Sequence, residues 1–175
     1  MINNTGRLRF RALGKSLCRE KKRIGLMLSV FLLVIAFSLR FSLGINLTES
    51  LPGTVFLIDQ GDRHVIRGKL YAFAWQGSFI PQGITVIKAL EGLPGDRVEH
   101  RPRKEGFTVS INGCDLALAK PRSRLGAALH AGFTGTIPSG HYYAHAPHPD
   151  SLDSRYAETG LIDQTKIKGR AYRLF

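Results

Sequence analysis

Cysteine is scarce in this chain, with Cys18 and Cys114 the only two among 175 residues. They lie on opposite sides of an apolar run that reads as a membrane span, so they cannot pair within one chain. With no second pair nearby they make neither a disulfide framework nor a zinc site. Acidic residues are also few, 13 against 25 Lys and Arg, for a formal charge of +12. That excess is concentrated: residues 1–23 hold eight basic residues against Glu20 alone. Placed beside the apolar run, it reads as a topology signal or a contact with anionic lipid, not as a nucleic-acid tail. Internal repeats, low-complexity segments and a long amphipathic helix are missing as well. No Gly-x-Ser-x-Gly elbow supports a Ser-His-Asp hydrolase. Gly92-Leu-Pro-Gly-Asp96 lacks the Lys-Ser/Thr and helix of a phosphate-binding loop.

What is present begins with residues 24–39, sixteen in a row without a charge. Continued through Arg40 to Ile45 the run is twenty-two residues, about 33 Å as a helix and enough to cross a bilayer, with Arg40 snorkelling to the headgroups. The expected organisation is a basic cytoplasmic segment 1–23, a transmembrane anchor 24–45 and an extracytoplasmic domain 46–175, with the lipid bilayer as one partner. A cleaved signal peptide is the rival reading, because Ala36-Phe37-Ser38 loosely mimics a cleavage site. Cleavage there would leave an apolar segment, residues 39–47, at the new terminus.

After the run the chain turns to short β-branched stretches separated by Gly and Pro. Strands are expected over residues 54–58, 69–75, 84–90, 97–103, 107–111, 114–119, 141–145 and 167–175, with a hairpin turn at Asn112-Gly113. Residues 120–135 fit a short helix or a loop. The fold class is therefore mainly β, one domain following one transmembrane helix. In the 84–90 stretch, Lys88 shares a strand face with Ile84, Val86 and Leu90. Such a lysine either snorkels at a sheet edge or is buried.

Three stretches carry the chemistry: Ser50-Leu-Pro52, Lys88 six residues before Pro94, and Ser151-Leu-Asp-Ser-Arg155. In that order, behind an N-terminal anchor, they resemble the type I signal peptidases, which are Ser/Lys proteases. They are most similar to the TraF-type conjugative-transfer peptidases, which mature pilin subunits, because Pro52 follows the serine by two and Ser-Leu-Asp-Ser-Arg-Tyr stands near the C-terminus. The resemblance implies a signal-peptidase-like β domain in the inner (cytoplasmic) membrane, single pass, with a cytoplasmic N-terminus and a periplasmic catalytic domain. It implies Ser50 as nucleophile, Lys88 as general base, and Thr48 with the backbone N–H of Ser50 as oxyanion hole. Ser151 would help orient the lysine, and Asp153 and Arg155 would form a supporting ion pair.

Elementary chemistry points the same way for the lysine. An amine must be neutral to take a proton from a serine, so its pKa has to fall by roughly three units, and burial does this. Lys88 is the one lysine whose neighbours offer burial; Lys104, Lys120, Lys166 and Lys168 lie among charges or turn residues. Two positions depart from the family pattern: Ala89 stands where an arginine is common, and His145-Ala-Pro147 stands where a glycine opens a turn. His141, His145 and His148 with Asp150 form a competing metal-binding set; the expectation is no metal and no cofactor. Expected partners are a pilin precursor or other exported preprotein as substrate, with other conjugation or pilus-assembly proteins and no nucleic acid. The alternatives are a general type I signal peptidase and a catalytically silent pilus-assembly scaffold.

Overall fold

The structure, a computed structural model, describes residues 4–175, with side chains described from Glu20 onward. Cys18 and most of the basic segment thus lie outside the described side chains. Two compact units are present, residues 1–40 and residues 41–175.

The first unit is a single helix, α1 (Asn4–Arg40). Its stretch Glu20–Arg40 is 21 residues long with mean hydropathy 2.0, and none of it is buried. A helix apolar all round and uncovered by protein has the length and surface for a bilayer.

The helix stops at Arg40, five residues short of the expected limit. Phe41–Ile45 is instead a strand, β1, antiparallel to β2 (Val55–Asp59) from Phe41 opposite Asp59 to Ile45 opposite Val55. Two features favour the strand: Gly44 weakens a helix interior, and β2 supplies a complete ladder of backbone partners.

The second unit is built from two antiparallel sheets. Its remaining strands are β3 (Lys69–Ala74), β4 (Thr85–Gly92), β5 (Arg97–Arg103), β6 (Gly106–Ile111), β7 (Cys114–Ala119), β8 (Gly135–Thr136), β9 (His141–His145), β10 (Ile162–Asp163) and β11 (Ile167–Arg173). The larger sheet runs β1-β2-β11-β3-β4-β9-β10 and the smaller β7-β6-β5-β8. All eight expected strands are found, within two residues at their ends. The two-residue β8 and β10 are additions. Residues 120–135 form no helix; their backbone is held by an isolated bridge between Arg122 and Ala128 and another between Ala131 and Tyr156.

Three apolar clusters fill the domain. Tyr71, Phe73, Leu90 and Ile167 pack on one face of the large sheet. Leu51, Phe56, Ile58 and Ala72 gather in a second cluster. Val98, Val109, Ile137 and Tyr156 form the third, around the small sheet. Leu152 packs against both the first and the third, which seats the 148–156 segment between them.

Candidate active site

The serine rides on a turn fixed at both ends. Leu51 is buried, and Pro52 restrains the backbone that follows. Gly53 has φ +109, and a Cβ there would come within 2.5 Å of Arg173 Cδ and 2.8 Å of the Phe175 carbonyl. Only glycine fits that approach. Thr54 N–H then donates to the Phe175 carbonyl at 2.7 Å, tying the turn to the last residue. On the other side Asn46 N–H donates to the Thr54 carbonyl at 2.8 Å. Within the turn, Ser50 Oγ lies 2.7 Å from Thr48 Oγ1, and Thr48 Oγ1 donates to Asn46 Oδ1 at 2.9 Å.

Lys88 comes from the middle of the large sheet. β4 lies between β3 and β9, so the sheet-edge alternative does not hold. Its side chain is 6 % exposed, with Tyr71 as cross-strand neighbour. Nζ donates to Ser151 Oγ at 2.7 Å. Burial brings the amine down from 10.5 to about 8; the Asp153 carboxylate opposes that shift and the Arg155 guanidinium adds to it. A large share of the amine is therefore neutral near pH 8, the state a proton acceptor needs.

The Ser-Leu-Asp-Ser-Arg-Tyr segment is used residue by residue. Asp153 and Arg155 are 0 % and 1 % exposed and pair bidentately, Nε to Oδ1 at 2.8 Å and Nη2 to Oδ2 at 3.0 Å. The guanidinium also donates to the carbonyls of Leu118 (2.9 Å), His148 (3.2 Å) and Ser151 (3.1 Å). Asp153 Oδ2 accepts from Ala146 N–H at 3.1 Å. A buried ion pair persists when its remaining donors and acceptors are filled, as they are here. Its geometric effect is to clamp the Ser151 backbone, and so to aim the hydroxyl that meets Lys88. Ser154 Oγ accepts from Ala144 N–H and donates to the Gly160 carbonyl, and Tyr156 Oη accepts from Lys120 N–H.

These pieces meet at one cavity of about 1160 Å³. Thr48, Ser50, Lys88 and Ser151 all line it, with Ile58, Trp75, Ile84 and Val86 among its apolar walls. Asp153 and Arg155 do not reach it and act from behind Ser151. No hydrogen bond joins Ser50 to Lys88: the serine is bonded to Thr48 and the lysine to Ser151. Catalytic contacts of this kind tighten when substrate fills the site.

Both departures from the family pattern fall on one cross-strand pair. Ala89 stands opposite His145, so a short side chain faces the bulkier one, and His145 is paired with Ala89 and not with Lys88. Burial pushes the His145 imidazole below its ordinary value, with Asp153 opposing and Arg155 and Lys88 adding. Of the three histidines, only His148 lines the cavity. Its Nδ1 accepts from Asp150 N–H at 3.2 Å. Among the described residues no group of three or more His, Cys, Asp or Glu converges as metal ligands would.

Asn46 is the member of the site that sequence reasoning missed. Its signal was present: an Asn two residues before a Thr, in a segment ending in Pro-Gly, is an Asx-turn pattern, and Thr48 N–H does donate to Asn46 Oδ1 at 3.2 Å.

Among solved structures, a signal peptidase I from Enterococcus faecalis V583 is 28% identical, with 60% of this chain and 94% of that chain covered, at a TM-score of 0.40. No curated protein matches. The family model described as signal peptidase, peptidase S26, matches residues 21–175, nearly all of the described side chains. An apolar N-terminal helix, antiparallel sheets and that match together make this chain a serine endopeptidase of the signal peptidase type, and it belongs to the peptidase S26 family.

Proposed function

We propose that the protein is a Ser/Lys endopeptidase that removes the leader of a pilin precursor for conjugative transfer. The observation that carries the mechanism is Lys88, buried in the sheet, held by Ser151 and opening on the same cavity as Ser50. In the reacting complex Ser50 Oγ gives up Thr48 and turns its hydrogen to Lys88. As Oγ bonds to the scissile carbonyl carbon, its proton passes to neutral Nζ. The oxyanion that forms accepts from Ser50 N–H and the Thr48 hydroxyl. Lys88 then gives the proton to the departing amine, and the C–N bond breaks to leave an acyl-enzyme. Water, deprotonated by Lys88, releases the leader. In this reading Asp153 and Arg155 touch no substrate: they hold the Ser151 backbone, and their opposed charges act on the Lys88 amine.

Pilin specificity is supported by two sequence features, Pro52 two residues after the serine and the Ser-Leu-Asp-Ser-Arg-Tyr segment. A cyclic pilin would come from the same site by a cut near the pilin's C-terminus: the C-terminal piece leaves as the amine, the pilin itself is held on Ser50 as the acyl group, and its own N-terminal amine displaces Ser50 in place of water. An apolar helix preceded by basic residues supports an enzyme anchored in the inner membrane, with its N-terminus in the cytoplasm and residues 41–175 in the periplasm. Family membership equally favours a second reading, a general signal peptidase acting on many preproteins. Co-expression with a pilin precursor, followed by mass spectrometry of the product, tests the first. Rescue of cells depleted of their own signal peptidase would establish the second.

A further inference from the structure

The mechanism above gives no part to Asn46, which opens the nucleophile turn. Asn46 Nδ2 donates to the carbonyls of Leu51 and Gly53 at 3.1 and 3.2 Å. Both amide hydrogens are committed, and the reversed orientation would set Oδ1 against two carbonyl oxygens. Oδ1 therefore faces Thr48 and accepts from its N–H at 3.2 Å and its hydroxyl at 2.9 Å. A threonine hydroxyl has one hydrogen. With that hydrogen on Asn46, the 2.7 Å contact between Thr48 Oγ1 and Ser50 Oγ requires Ser50 to be the donor.

We infer that Asn46 is a positioning residue of the peptidase site, holding the turn of residues 46–53 and, through Thr48, setting the direction of the hydroxyl protons around Ser50. The inference rests on the assignment of Ser50 made above. In the resting site the Ser50 hydrogen points at Thr48, and the Thr48 hydrogen points at Asn46. A neutral carbonyl entering the cavity competes poorly with the amide oxygen for that hydrogen. An oxyanion competes well, because charge-assisted hydrogen bonds are about twice as strong as neutral ones. The Thr48 hydrogen then swings from Asn46 to the oxyanion, while the Ser50 hydrogen goes to Lys88. Thr48 thus donates in the transition state and not in the ground state, the kind of interaction that raises kcat and leaves KM alone.

The test is a double-mutant cycle on the full chain in detergent. The substrate is an internally quenched peptide with alanine at the first and third positions before the scissile bond. Asn46→Ala should lower kcat roughly 10- to 100-fold with KM within about twofold, the scale expected when a reacting group is misplaced. In a Thr48→Val background the same change should cost at least about 3-fold less, because only the turn-holding bonds to the Leu51 and Gly53 carbonyls remain to be lost. Equal losses in both backgrounds, a loss confined to KM, or unchanged kcat would overturn the inference. Should Asn46→Ala fail to fold, Asn46→Asp is read in the same cycle. It loses the two bonds to the carbonyls, and its carboxylate holds the Thr48 hydrogen more tightly against the oxyanion, so it should lower kcat more in the presence of Thr48 than in the Thr48→Val background. Ser50→Ala is assayed alongside: cleavage by that variant would overturn the assignment of Ser50, whereas an inactive Ser50→Ala with an additive cycle would overturn only the role of Asn46.

Discussion

Lys88 Nζ and Ser151 Oγ stand 2.7 Å apart, joining the centre of the large sheet to a loop 63 residues further along the chain. The hydroxyl's lone pair stabilises the ammonium more than the amine, so the pair opposes the burial that lowers the pKa. Ser151→Ala should therefore move the midpoint of the pH–activity limb down while kcat falls roughly tenfold, since the amine loses the bond that aims it. A fall in kcat with the midpoint moved upward would contradict this account.

Ser50→Ala should abolish cleavage, by at least ~10³-fold, without lowering the melting temperature by more than a degree or two. The hydroxyl lies in an open cavity and its loss leaves no apolar void. Accumulation of processed precursor with the variant, followed by immunoblotting, is the direct check.

Activity should rise with pH along one limb centred near the Lys88 value of about 8. Lys88→Arg should be as inactive as Lys88→Ala, because guanidinium stays protonated at any usable pH. Stability follows the same titration with a definite sign. Between about 8 and 10.5 the unfolded chain holds a proton on this lysine that the folded chain has lost, so stability increases with pH across that window. The contribution is about 3 kcal/mol at most. Lys88→Met should remove that rise and melt at a higher temperature than the parent at pH 7, while being inactive. Chemical denaturation at pH 7 and pH 10 separates the two enzymes.

Asp153→Asn should be strongly destabilising, by about 3–5 kcal/mol, because Arg155 keeps its charge at 1 % exposure with no counter-ion. Asp153 also raises the Lys88 pKa. Any folded fraction should therefore show an activity limb shifted to lower pH. An unchanged melting curve would mean that water reaches the guanidinium.

The strands were readable in the sequence where alternation and Gly/Pro turns agree, as in the Asn112-Gly113 hairpin and the 84–90 stretch. Phe41–Ile45 was not, because an unbroken apolar run has no period to separate helix from strand. Its backbone was decided by the ladder β2 provides. β8 and β10 are two residues each, too short to show any period. Of the candidate site, the sequence motifs named Ser50, Lys88 and Ser151, which the fold brings to one cavity, and Asp153 with Arg155, which pair behind it. Asn46 escaped because its partners are backbone carbonyls and a hydroxyl that only the folded turn assembles. That His145 stands opposite Ala89, so that the two departures from the family pattern share one pair, is a matter of strand register and shows only in the folded sheet.

The place of β11 has a consequence for synthesis. The strand nearest the C-terminus lies between β2 and β3, and the Phe175 carbonyl accepts from Thr54 N–H just beyond the nucleophile turn. While residues 167–175 are still inside the ribosome, β1 and β2 have no ladder to the strands that carry Lys88. The site therefore depends on contacts between strands far apart in the sequence, the kind that form late in folding. A chain that lacks residues 167–175 should therefore be inert, because no strand ladder then joins the turn that carries Ser50 to the strands that carry Lys88.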